Sequence, residues 1–211
     1  MNNELEKPEA AKKGRPRSFD RQLALERALT VFWQRGFEPT TVSELCKVMG
    51  INPPSLYAAF GNKAKLFLEA VNYYEDTYWG KAWTRLETDA DLTRAIRDFF
   101  GCAVDILTSQ EAPCGCIVVN GATNVSLESR EVSDALRALR IEGKQCFKDR
   151  LMKGVEAGQL PLSAPVDALA STLNALLEGM SIEARDGGVR EELERIATAA
   201  TAFLPNVEQP M

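Results

Sequence analysis

The sequence predicts an all-α protein of about nine helices, in which a small helix-turn-helix unit precedes a larger helical body. Three observations predict it. Apolar residues recur at i, i+3, i+4 and i+7 along most of the chain, the spacing of one helical face. Capping residues and glycines punctuate those runs. No stretch alternates apolar with polar as a half-buried strand would, and the β-branched run at Ile117-Val118-Val119 is short and isolated, so strand propensity alone misleads there.

Residues 1–17 hold many charges and few apolar groups, which predicts a flexible basic arm. Asp20 is a natural N-cap with Phe19 ahead of it. Leu25, Ala28, Leu29, Phe32 and Trp33 then predict a helix over residues 21–35, stopped by Gly36. Thr40 or Thr41 caps a short second helix whose face is Val42, Leu45, Cys46 and Met49, and Gly50 ends it. Asn52 caps the third, and Pro53 takes the first helical position, where a missing N–H costs nothing. Leu56, Tyr57 and Phe60 follow before Gly61. Two short helices around a tight Gly-containing turn form a helix-turn-helix.

Asn62 opens a fourth helix, expected to run unbroken over residues 63–87. Asp89 or Asp91 opens a fifth, to Ser109. A loop at Glu111–Gly115 leads to a short apolar helix over 116–125. Ser129 or Ser133 starts another, to Gly158; Pro165 begins the next, through Arg185; the last covers 190–203. The chain thus divides into an arm (1–17), a helix-turn-helix domain (18–64), a body (65–205) and a tail (206–211).

Of the 211 residues, 45% are hydrophobic and 26% charged, ordinary for a globular chain. No run of about 18 apolar residues predicts a membrane span, and the N-terminus has no apolar core of the secretory kind; a cytoplasmic protein with five free cysteines is expected. There is no histidine, which removes Ser-His-Asp and Cys-His catalysis and the commonest transition-metal ligand. No cofactor or metal is expected. The net charge of −5 hides an asymmetry: residues 11–65 hold ten basic and four acidic residues, and residues 66–211 hold fourteen and twenty-three. A basic end on an acidic body points to a polyanion at the first part only.

The stretch from Ala28 to Phe67, ALTVFWQRGFEPTTVSELCKVMGINPPSLYAAFGNKAKLF, resembles the TetR family of bacterial repressors. The residues that carry the resemblance are Gly36-Phe37, Thr40-Thr41, Gly50-Ile51, Leu56-Tyr57, Phe60 and Lys63. It implies a homodimer that binds a double-stranded DNA operator, a palindrome, and lets go when a small-molecule effector enters the body.

On this reading the third helix enters the major groove. Leu56 and Phe60 face inward, which leaves Pro53, Pro54, Ser55, Tyr57, Ala58 and Ala59 toward DNA. Tyr57 matches a family tyrosine that reaches the backbone; the alternative is an ordinary half-buried aromatic. Ala58 and Ala59 stand where the family places bulky or polar readers, so weight shifts to DNA shape. Thr40 and Thr41 lie at a helix N-terminus, which suits phosphate, and family analogy aims Lys63 at phosphate too. Arg15 and Arg17 flank Pro16 in a segment that suits the minor groove.

In the body, Trp83, Phe99, Cys102, Cys116, Asn120 and Phe147 are the candidates for an effector pocket, whose ligand is expected to be apolar or electrophilic. Most aromatics on such faces are core. The segment Pro113 to Asn120 is similar to one in a branch of the family, some members of which sense electrophiles or oxidants through the cysteine matching Cys116. A helix N-terminus lowers a thiol pKa; against this, a free cysteine more often packs as a small hydrophobe. Cys114 is a candidate resolving partner. Leu173, Leu177, Met180, Ile196, Ala200 and Phe203 are the candidates for the dimer interface. Three further readings remain: a cysteine-dependent enzyme, which needs a base other than histidine beside Cys116; an architectural or adaptor protein that uses helix-turn-helix packing without sequence-specific DNA binding, against which the basic balance of residues 11–65 speaks; and an activator built on the same DNA-binding unit.

Overall fold

The structure, a computed structural model, describes residues 19–109, 113, 115–123 and 125–205. Arg15, Arg17 and Cys114 lie outside the described residues, and so do the readings placed on them. Among the described residues every regular element is helical.

The head is built from α1 (Arg21–Arg35), α2 (Val42–Met49), α3 (Pro53–Phe60) and the start of α4 (Lys63–Tyr74). Local chemistry sets each start. Asp20 accepts from the N–H of Gln22 and Leu23, Asn52 from Ser55, and Asn62 from Lys65. Of the two threonines it is Thr41 that caps α2, accepting from Glu44. Gly50 sits in the left-handed region (φ 68°) and makes the turn between α2 and α3. Phe32 and Phe37 close on Phe67 from α4, with ring centroids 5.0 and 5.2 Å from it, so α1, the loop after it and α4 share one apolar centre.

The expected unbroken fourth helix is interrupted. After Tyr74 the chain makes a π-helical turn, Glu75–Trp79, and then continues as α5 (Gly80–Thr88). In this turn the Gly80 N–H reaches back five residues to the Glu75 carbonyl. Periodicity masks such a turn, because Tyr78 and Trp79 are both aromatic and either one continues the apolar face after Tyr74; the structure buries Trp79, a step of five.

The body continues with α6 (Leu92–Leu107), α7 (Ile117–Asn120), α8 (Arg130–Glu156), α9 (Val166–Arg185) and α10 (Arg190–Ala199), the last followed by a 3₁₀ turn, Ala200–Phe203. Asp91, not Asp89, caps α6. The helix expected over 116–125 shrinks to the four residues of α7: Gly121 and the turn after it end the helix while the chain swings toward the head. Trp79, Trp83, Phe99, Phe100 and Phe147 form the aromatic core of the body, with Trp83 and Phe99 centroids 4.4 Å apart and Phe99 and Phe147 5.0 Å apart.

Candidate DNA interface and effector chamber

The outward face of the head is α3. Its Pro53, Pro54 and Ala58 are exposed, Ser55 and Ala59 are half-buried, and Leu56 and Phe60 are buried. Tyr57 is 49% exposed, so it is not a core aromatic. Thr41 is exposed at the start of α2. Thr40 is not available to a phosphate through its side chain: it is 1% exposed, and its hydroxyl donates to the Gly36 carbonyl at 2.7 Å. The pair of threonines therefore splits its work, Thr40 closing the loop and Thr41 capping the helix.

Lys63 also departs from expectation. Its ammonium turns inward and donates to the carbonyls of Phe37 (3.1 Å), Glu38 (3.5 Å) and Thr40 (3.0 Å), 4.2 Å over the Phe37 ring. All three N–H groups are committed to protein, and burial pushes its pKa below the usual lysine value. The carbonyls of a loop between helices need donors, and this lysine supplies them. As a phosphate clamp it is corrected to a strut for the loop before α2. The exposed cations left on these helices are Lys47 on α2 and Lys65 on α4. Sequence reasoning passed over both, although Lys47 falls opposite the apolar face of α2 and was legible there.

In the body, the π turn, α7, α8 and α9 enclose a chamber of about 50 Å³ lined by Glu75, Trp79, Trp83, Cys116, Asn174 and Leu177, among others. Beside it, a vestibule of about 470 Å³ opens between the π turn and α8, sharing Glu75, Trp83, Leu139 and Gly143. Of the predicted pocket residues, Trp83 and Cys116 meet here. Phe99 and Phe147 are core, at 1% and 0% exposure. Cys102 is half-buried on α6 and lines neither space. Asn120 donates to the Ser181 hydroxyl at 2.9 Å, which also accepts from the Cys116 N–H at 2.8 Å, so this asparagine ties α7 to α9.

Of the two readings of Cys116, the electrostatics of the chamber favour the packed, protonated thiol over a thiolate. Burial, and then the Glu75 charge, push the Cys116 thiol up to about 11, against a hydrogen bond with Tyr74. A helix of four residues carries little dipole, and loss of water outweighs it. Glu75 is itself pushed up to about 7, first by burial and then by Glu142 and Asp76, with a hydrogen bond from Trp83 pulling the other way. Tyr74 accepts from the Trp79 indole at 2.7 Å. The chamber does bring a carboxyl beside Cys116, as a cysteine enzyme would need, but it leaves the thiol protonated.

Helix α7 joins this chamber to the head. Cys116, its N-cap, is on the chamber wall; the Gly121 carbonyl at its other end accepts from the Phe37 N–H at 2.8 Å. Gly36, at φ 80°, lies so near that a Cβ would meet the Gly121 oxygen at 3.0 Å. The Trp33 indole donates to the Gly115 carbonyl at 2.8 Å, and the Ser126 N–H to Glu38 at 2.7 Å.

The predicted dimer residues divide. Leu173, Met180 and Ala200 are 0%, 1% and 0% exposed within the single chain, so they are corrected to its own core. Leu177 and Ile196 are half-buried and Phe203 is exposed. The outward face of α9 is Ala168, Ala175, Gly179 and Ile182, at helical spacing. Periodicity alone does not say which edge of an apolar helical stripe faces out.

Comparison with known proteins agrees with the architecture. Residues 24–70 match the profile described as "Bacterial regulatory proteins, tetR family", and residues 93–200 that described as "Tetracyclin repressor-like, C-terminal domain". The chain is 32% identical over 196 residues to the HTH-type transcriptional repressor ComR of Escherichia coli K12, covering 92% of this chain and 93% of that one. It is also 32% identical to the repressor BdcR of the same organism, covering 90% of each. Among solved structures, it is similar to a cysteine-substituted variant of the TetR family transcriptional regulator CifR complexed with 26 bp double-strand operator DNA, at 37% identity and a TM-score of 0.87, covering 91% of this chain and all of that one. With its N-terminal helix-turn-helix and all-helical C-terminal part, the chain belongs to the TetR family of bacterial transcriptional regulators.

Proposed function

We propose that this protein is a homodimeric repressor that binds a palindromic operator and releases it when a small molecule occupies the chamber between the π turn, α7, α8 and α9. The division of labour is that of the sequence, with residues 18–64 on DNA and 65–205 for effector and partner. The observation that carries the reading is α7, with one end on the chamber wall and the other hydrogen-bonded to the loop that leads into α2. A ligand that displaces Cys116 also displaces Gly121 and the loop with it.

On DNA, α3 offers Pro53, Pro54, Ser55, Tyr57, Ala58 and Ala59 to the major groove, with Thr41, Lys47 and Lys65 on phosphate. The second copy docks on the outward face of α9, where Gly179 leaves open space for close approach, joined by Phe203. The effector is apolar or electrophilic. The electrophilic reading rests on Cys116 lying in the chamber wall beside Glu75. With its thiol held protonated, reaction there requires that the reagent enter first and that the carboxylate take the proton.

Selection of duplexes from a random pool tests the core of the proposal. The expected product is a palindrome bound by two chains, with half-sites about one helical turn apart. A single half-site bound by one chain overturns it.

A further inference from the structure

We infer that Arg21 is a positioning residue for DNA reading: clamped on Glu69, its guanidinium holds the C-terminal end of α3 at the angle that base reading needs, without touching DNA itself. The inference rests on the reading of α3 as the helix that enters the groove.

Helix α3 is poorly equipped to hold its own place. It has eight residues, only Leu56 and Phe60 are buried on it, and its last turn carries no basic side chain. A helix this short has little stability of its own, so its tilt is decided by what grips its ends. Asn52 secures the first end. At the other end stands Arg21, from the first turn of α1. Its two terminal nitrogens pair with both carboxylate oxygens of Glu69 on α4, Nη2 to Oε2 at 2.7 Å. Nη2 also donates to the Ala59 carbonyl at 3.3 Å, and the guanidinium lies 4.4 Å from the centre of the Phe60 ring. One planar group thus meets the last two residues of α3 and a carboxylate on α4.

Three physical features suit arginine to this post. Its fork matches a carboxylate two-on-two, which a lysine does not. A cation at a helix C-terminus is favoured by the backbone dipole. Its flat face stacks on the Phe60 ring. Geometry matters more than usual here, because Ala58 and Ala59 bring no side-chain hydrogen bonds to the bases. Selectivity then depends on how closely the α3 backbone sits in the groove, and a site loosened by 10–20° loses it.

The test uses the full-length protein, a duplex enriched from a random pool by the parent, and a scrambled duplex of equal composition. Arg21→Ala and Arg21→Lys are expected to weaken binding to the enriched duplex by about tenfold. Binding to the scrambled duplex is expected to stay within about twofold, with the parent's salt slope unchanged. Glu69→Gln is expected to do the same, and the double variant Arg21→Lys with Glu69→Gln to add little to either, because the two act as one unit. Should Arg21→Ala fail to fold, the Lys and Gln variants decide. Equal losses on both duplexes, a salt slope lower by about one, or full selectivity in every variant each overturn the inference. Ser55→Ala and Tyr57→Ala serve as controls: if they leave selectivity intact, the reading of α3 itself has failed, and Arg21 with it.

Discussion

Every helix of the head starts on a side-chain cap, whereas in the body, among the described residues, only α6 does, on Asp91. Each of α1 to α4 opens on a side chain that accepts from its first turn, namely Asp20, Thr41, Asn52 and Asn62. None of α7 to α10 does, and α8 and α9 run for 27 and 20 residues. Short helices that must present a fixed face are specified residue by residue. Long helices are placed by the surfaces they bury, so their ends follow their neighbours. The difference puts local rigidity where DNA is met and leaves the chamber walls to tertiary packing.

The largest effect is expected where the two regimes meet. Phe67 is 0% exposed and packs on both Phe32 and Phe37, so Phe67→Ala is expected to cost about 3–5 kcal/mol. If head and body are one cooperative unit, urea unfolding remains a single transition; a separate early loss of the head sharpens the contrast into two units. Next comes the outward face of α9. Ile182, 49% exposed, tolerates a charge in a monomer but not in an interface. Ile182→Glu is therefore expected to leave the helical signal intact, shift sedimentation to the monomer, and weaken operator binding by about 100-fold through lost avidity.

A smaller effect concerns Glu75. Its folded-state pKa is raised, so the folded chain binds a proton more tightly than the unfolded one does. Its contribution to stability is full below about pH 4.5 and is lost as pH rises through about 7. Glu75→Gln is expected to flatten that slope and to raise stability above pH 7 by about 1–2 kcal/mol. An unchanged pH profile in denaturant melts means that this carboxyl is better solvated than its surroundings imply. The smallest effect belongs to the caps. Asn52→Ala is expected to cost about 1 kcal/mol, while Ser129→Ala at α8, whose hydroxyl makes no cap bond to that helix, costs less than half as much.

This contrast also explains what the sequence made legible. The starts of α1, α3 and α4 follow from Asp20, Asn52 and Asn62, and the turn from Gly50, because the residues that set them are adjacent in the chain. Burial of Phe99 and Phe147 was the ordinary outcome for aromatics on a helical face. What stayed hidden depends on distant contacts. Lys63 turns inward because the loop at 37–40 lacks donors. Cys116 is held protonated by burial first and then by the charge of Glu75, some forty residues earlier. Leu173 and Met180 face inward because α9 lies against its own chain first.

The π turn has a further consequence, for chain length. It is one residue inserted into a rod that would otherwise be continuous from Lys63 to Thr88. Removing a single residue between Glu75 and Trp79 restores ordinary helical pairing and keeps the flanks in line, whereas the same deletion elsewhere in the rod turns everything beyond it by about 100°. The rod therefore has one spare residue, and it is kept where the chamber needs both a carboxyl and an indole.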